Sequence, residues 1–126
     1  MRRLALFITA SLLVTTPALA KRDAVPPPAT ETGKAVSCIN LSQIRESKVR
    51  NNNVIDFRTS GKKWYRNTLP NSCPSLGFEE RFSYKTSLSQ LCSTDIITVL
   101  QSYGGGLGRG ASCGLGQFQP VEIAKQ

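Results

Sequence analysis

The sequence predicts an all-β fold, five to six short antiparallel strands closed into a small barrel or stacked as a sandwich, and stapled by disulfides. Three observations predict it: short β-rich runs broken by turn residues, four cysteines, and almost no sustained helical periodicity. Residues 54–58 (Val-Ile-Asp-Phe-Arg) and 63–66 (Lys-Trp-Tyr-Arg) are β-rich, and with Val49 before them they make a three-stranded meander. Asn51-Asn52-Asn53 and Ser60-Gly61 supply its turns.

The hairpin around Ser60-Gly61 admits two registers. A two-residue loop sets Arg58 opposite Lys63, a like-charge pair, and Phe57 opposite Trp64. A three-residue loop sets Asp56 opposite Arg66, Phe57 opposite Tyr65 and Arg58 opposite Trp64, which is the more favourable arrangement.

Further along, residues 81–86 alternate with period two, so Phe82 and Tyr84 share one face while Arg81, Ser83 and Lys85 share the other. Residues 95–100 are a continuous β-branched run that reads as a buried strand, and 112–121 supply a closing strand. Helix is confined to one or two turns within 41–50 and to single turns at 74–76 and 88–92. A partly open five-stranded barrel of the oligonucleotide/oligosaccharide-binding type is the most specific form this strand pattern supports.

Residues 1–20 read as a secretory signal peptide: Arg2 and Arg3 before an apolar run, then Ala18-Leu19-Ala20 as the cleavage site. The run is shorter than the ~20 residues a spanning helix needs, so the expectation is a soluble, exported chain with no stable membrane span after cleavage. Residues 21–35, with Pro26-Pro27-Pro28 and little to bury, read as a disordered proline-rich tether. Residues 36–122 form the single β domain and 123–126 a tail. Removing Arg2 and Arg3 with the leader leaves 14 basic against 8 acidic side chains, a net charge of +6.

An even number of cysteines in an exported chain implies a disulfide framework. Metal binding is disfavoured because the chain has no histidine and no Cys-x-x-Cys pair, and no cofactor is implied. Three pairings are open. The nested one, Cys38 with Cys113 and Cys73 with Cys92, is favoured because it ties the ends of the domain and separately closes its middle.

Seven glycines crowd 104–116, yet their spacing fits neither the Walker nor the dinucleotide pattern. They read as a flexible hairpin loop in which Arg109 could meet an anionic ligand. The clearest surface candidate is the basic hairpin, where Arg58, Lys62, Lys63 and Arg66 surround Trp64. The plainer alternative is that Trp64 is core and the basic residues are a solvated edge. Without histidine there is no Ser-His or Cys-His nucleophile pair; a hydrolase built on Glu46, Asp56, Glu79, Glu80, Asp95 or Glu122 stays the lesser alternative to a non-enzyme. Asp95 reads as a turn or cap residue, and Asn40-Leu41-Ser42 matches a glycosylation sequon.

The order Cys38-Ile39, Ile44-Arg45, a hairpin ending in Tyr65, Cys73-Pro74-Ser75-Leu76, Phe82 before Thr86, Leu91-Cys92 with Asp95, and Cys113 before the last strand resembles a family of small exported bacterial proteins classed as a domain of unknown function. The resemblance implies a Gram-negative envelope address and a cysteine-stapled domain. The resulting expectation is a monomeric periplasmic or secreted binding protein whose partner is an anionic envelope polymer, such as lipopolysaccharide, cell-wall polymer or nucleic acid. The alternative is an inhibitor or accessory subunit that docks on another envelope protein.

Overall fold

The computed structural model describes residues 24–86 and 88–124, so the signal-peptide expectation for 1–20 lies outside the described residues. Along the described chain run β1 (Ala29–Glu31), β2 (Cys38–Asn40), β3 (Ile44–Val49), β4 (Val54–Thr59), β5 (Lys63–Thr68), α1 (Leu76–Glu79), β6 (Phe82–Tyr84), β7 (Gln90–Cys92), β8 (Ile96–Tyr103), β9 (Gly106–Gly114) and β10 (Phe118–Ile123). They form three antiparallel sheets: β1-β10-β5-β4-β3, β2-β7 and β6-β8-β9. The fold is all-β and stapled, as expected. It does not close into a barrel, because β1 and β3 end the large sheet without pairing to each other. The described residues form ten strands rather than five or six; three-residue strands such as β1, β2 and β7 are too short to show a period of their own.

The meander forms as β3-β4-β5, and the hairpin takes the three-residue register: Asp56 faces Arg66, Phe57 faces Tyr65 and Arg58 faces Trp64. Gly61 (φ 77) and Lys62 (φ 60) reverse the chain in a 3-10 turn. At the β3-β4 turn the Asn51 side chain accepts from the Asn53 and Val54 amides, each at 2.8 Å. Buried Asn52 reaches further: its carbonyl accepts from Cys73 N–H at 2.8 Å and its side-chain oxygen from Gly77 N–H at 2.7 Å. This turn thereby anchors the loop that carries Cys73 and α1.

The turns allowed at 41–50 and 88–92 give way mostly to strand: a 3-10 turn at Leu41–Gln43 leads into β3, and β7 pairs with β2. Sheet pairing overrides weak local preference there.

Residues from all three sheets share one core. Val49, Ile55, Phe57 and Phe118 from the large sheet meet Phe82, Ile97 and Val99 from β6 and β8, and Ile39 and Leu91 from β2 and β7. The Phe57 ring packs edge-on against Phe118 at 5.6 Å and against Phe82 at 6.3 Å, joining two sheets. Full burial of each such side chain contributes about 1.5–3 kcal/mol.

The disulfides correct the nested pairing: Cys38 bonds Cys92 and Cys73 bonds Cys113. The reason is register. Cys38 and Cys92 are direct partners across β2 and β7, so neither can reach the other cysteines. Two disulfides fit an oxidising, extracellular compartment. No helix among the described residues is long and apolar enough to cross a membrane.

The glycine run is also corrected. It is the β8-β9 hairpin rather than a loop, turning only at Gly104-Gly105, both at positive φ (27 and 102). A Cβ on Gly108 would lie 2.2 Å from the Tyr103 ring, and one on Gly110 2.9 Å from the Gln101 side chain. The glycines are therefore seats for side chains of the facing strand. Gly116, between β9 and β10, is tighter: a Cβ there would meet the Thr68 carbonyl oxygen at 2.2 Å, and its own N–H and C=O are held by the buried Asn67 side chain at 2.8 and 2.7 Å. Gly116→Ala is expected to lower stability by about 1–3 kcal/mol in a urea titration, because backbone rather than a flexible tip must move. Gly114→Ala, where nothing lies within 4 Å, is the neutral control.

The tether and tail are corrected as well, for residues 24–35 and 123–124 belong to the fold. β1 pairs with β10 (Ala29 with Ile123, Glu31 with Val121), and Ala124 N–H donates to Pro28 O at 2.9 Å. Upstream, Pro27 is buried; its carbonyl accepts from Arg66 at 2.9 Å, and the Ala24 carbonyl accepts from Asn51 at 2.9 Å. Residues 24–28 thus strap the outer face of the large sheet from the β10 edge to the β3-β4 turn.

Candidate functional site

The basic hairpin is largely committed to its own fold. Asp56, fully buried, accepts from Arg66 Nε at 2.9 Å and Nη2 at 3.0 Å, and from Arg50 Nε at 2.8 Å. Arg66 and Arg50 side chains are only 17% and 13% exposed, and Arg66 is further capped by the Pro27 carbonyl. Arg58 pairs with Glu46 at 3.0 Å, and that hydrogen bond holds the Glu46 carboxyl below its ordinary value, with Lys48 at 3.6 Å adding to it. Trp64 is half-buried, with the Lys48 ammonium 5.7 Å from its ring centre. The Lys63 ammonium sits 5.0 Å from the Tyr65 ring centre, and Lys62 is exposed at the hairpin tip. Arg109 lies on a different sheet. The six residues singled out in the sequence do not converge.

The sheet that holds Arg109 presents a more open basic face. Phe82, Ile97, Val99 and Cys113 point into the core, so alternation sends Ser83, Thr98 and Ser112 to the outer side. These three are direct neighbours across β6, β8 and β9, with Thr98 Oγ1 and Ser112 Oγ 3.1 Å apart. On one side of this hydroxyl row lies Leu100, opposite Arg109 on β9 and bonded through its N–H to the Arg81 carbonyl at 3.0 Å. On the other lies Ile96, 57% exposed, with Lys85 just past the end of β6. A bulge that sets Gly110 and Ala111 against Val99 keeps Arg109 on this face.

The outer face therefore carries three cations, Arg81, Lys85 and Arg109, around a hydroxyl row. All three are exposed, and none has a carboxylate partner among the described residues. Part of the face deepens into an open cleft of about 360 Å³ lined by Ser83, Tyr84, Lys85, Asp95, Ile96, Thr98 and Arg109, together with Thr94. Asp95 Oδ2 accepts from Cys92 N–H at 2.7 Å, closing the turn before β8. Arg81, Ser83 and Lys85 were visible in the sequence as one side of an alternating strand. Their union with Thr98, Ser112 and Arg109 needed the pairing of β8 with both neighbours.

Three of the six candidate carboxylates are engaged separately: Asp56 by two arginines, Glu46 by Arg58 and Asp95 by a backbone amide. Among the described residues, no three of His, Cys, Asp or Glu gather where they could hold a metal ion. Comparison with known proteins finds no match, whether to a family model, a curated protein or a solved structure.

Proposed function

We propose that this protein is an exported binding domain, acting without a catalytic step in the periplasm or outside the cell, that holds an anionic envelope partner on the outer face of β6-β8-β9. The observation that carries the reading is the set of three exposed cations, Arg81, Lys85 and Arg109, left without a carboxylate partner among the described residues beside a row of hydroxyls. Arg50, Arg58 and Arg66 are neutralised by carboxylates, which leaves the charge of this face available to a partner outside the chain. The net charge of +6 after leader removal draws an anion toward it from a distance.

Binding of the protein to dextran sulfate, followed by fluorescence anisotropy across a salt series, tests this. The Arg81→Gln/Lys85→Gln/Arg109→Gln variant is expected to bind roughly 10–100-fold more weakly and to lose most of the salt dependence. Lys62→Gln/Lys63→Gln should change affinity little. Equal losses in the two variants would remove the face assignment and leave only net charge.

A second reading has one observation behind it. β9, nine residues long, ends its sheet with one edge unpaired among the described residues, a place where a strand of another envelope protein could add. Capture of a stoichiometric protein partner that survives high salt would favour it.

A further inference from the structure

We infer that the ligand of this face is an anionic saccharide, about two sugar rings long, with a phosphate or similar group at each end; this rests on the anion-binding reading above. Arg81 and Lys85 stand four residues apart at β6 and project to the same side, which separates their Cα atoms by roughly 13 Å. Arg109 lies two strands across from Arg81, a further gap of roughly 10 Å. Charges along a nucleic acid strand recur every ~3.4 Å, much closer than this grid of cations.

What fills the gap is a row of hydroxyls, with the Asp95 carboxylate beside it. Ser83, Thr98 and Ser112 each donate and accept, as ring hydroxyls do, and they run in one row between the two basic ends. Asp95 lines the same cleft with one oxygen taken by Cys92 N–H and the other without a partner among the described residues, an acceptor for a further sugar hydroxyl. The apolar side chains of the face are aliphatic, Ile96 and Leu100, suited to the C–H surface of a sugar ring. Base recognition on single strands uses successive aromatic platforms, and among the described residues lining this cleft there is one ring, Tyr84.

Calorimetric titration of the protein with a glucosamine disaccharide phosphorylated at both ends, at one end and at neither tests the assignment, with an oligothymidylate of matched charge as comparator. The doubly phosphorylated form is expected to bind at least about tenfold tighter than the singly phosphorylated one, and tighter than the oligothymidylate. Ser83→Ala/Thr98→Val/Ser112→Ala, checked for native circular dichroism, should weaken disaccharide binding about tenfold while leaving dextran sulfate binding intact. Oligothymidylate binding as tight as the disaccharide, or a hydroxyl variant that loses nothing, overturns the saccharide and leaves the anion reading standing. Absence of salt-dependent binding to any anionic probe, dextran sulfate included, overturns both. Lipopolysaccharide micelles set against a soluble phosphorylated polysaccharide then tell a membrane-borne source from a free polymer.

Discussion

Asp56→Asn is expected to lower the free energy of unfolding by about 3–5 kcal/mol, the largest effect of any single polar substitution in this chain. Asparagine keeps the shape and one acceptor but removes the negative charge shared by Arg50 and Arg66. Both guanidiniums have little access to water, and Arg66 is capped by the strap, so the loss leaves two largely buried cations without their shared counter-ion. Urea unfolding reads the effect as a lower midpoint. Glu46→Gln provides the contrast, because that carboxylate and its Arg58 partner are both about one-third exposed and solvent screens them (37% and 35%). Equal midpoints for the two variants would mean that the buried triad does not hold the strap and sheet together. Amide exchange at Thr32 and Ala124, whose N–H groups bind Pro120 O and Pro28 O, should quicken in Asp56→Asn before exchange in β4 does.

Removing the Cys73–Cys113 bond as Cys73→Ala/Cys113→Ala is expected to cost about 2–5 kcal/mol. Cys73 is fully buried, and the bond spans 40 residues to fasten the loop before α1 to β9, which is otherwise an open edge strand. Cys38→Ala/Cys92→Ala should cost less than the loop length of 54 implies, because backbone pairing still holds β2 to β7. Thermal unfolding of the two double variants ranks them. Non-reducing peptide mapping checks the connectivity directly: a peptide joining Cys38 to Cys113 would contradict the crossed pairing and the comparison built on it.

Where the sequence was readable, neighbouring residues carried the constraint. Alternation and opposite charge placed Asp56 against Arg66 in the correct register, and the same period-two pattern put Arg81, Ser83 and Lys85 on one side of β6. The strap was not readable, because it is held through the carbonyls of Ala24, Pro27 and Pro28 rather than through side chains that leave a pattern. The glycine run misled for a related reason: its alternation is complementary to Tyr103 and Gln101 on the facing strand, and a loop reading ignores the partner.

The candidate site divides the same way. Composition exposed an excess of cations but could not say which were already spent. Arg58 looks free within its hairpin, yet Glu46 reaches it from β3, and Arg66, already opposite Asp56, is capped by Pro27 from the strap. The sequence by itself determined the all-β class, the disulfide framework and the meander, and favoured the register that formed, since those follow from local periodicity, residue type and cysteine count. Only the tertiary structure decided the crossed pairing of the cysteines, the seat of residues 24–35, and the outer face that gathers Arg81, Lys85 and Arg109. Each of these depends on which distant strands become neighbours, and that is set by how three sheets share one core.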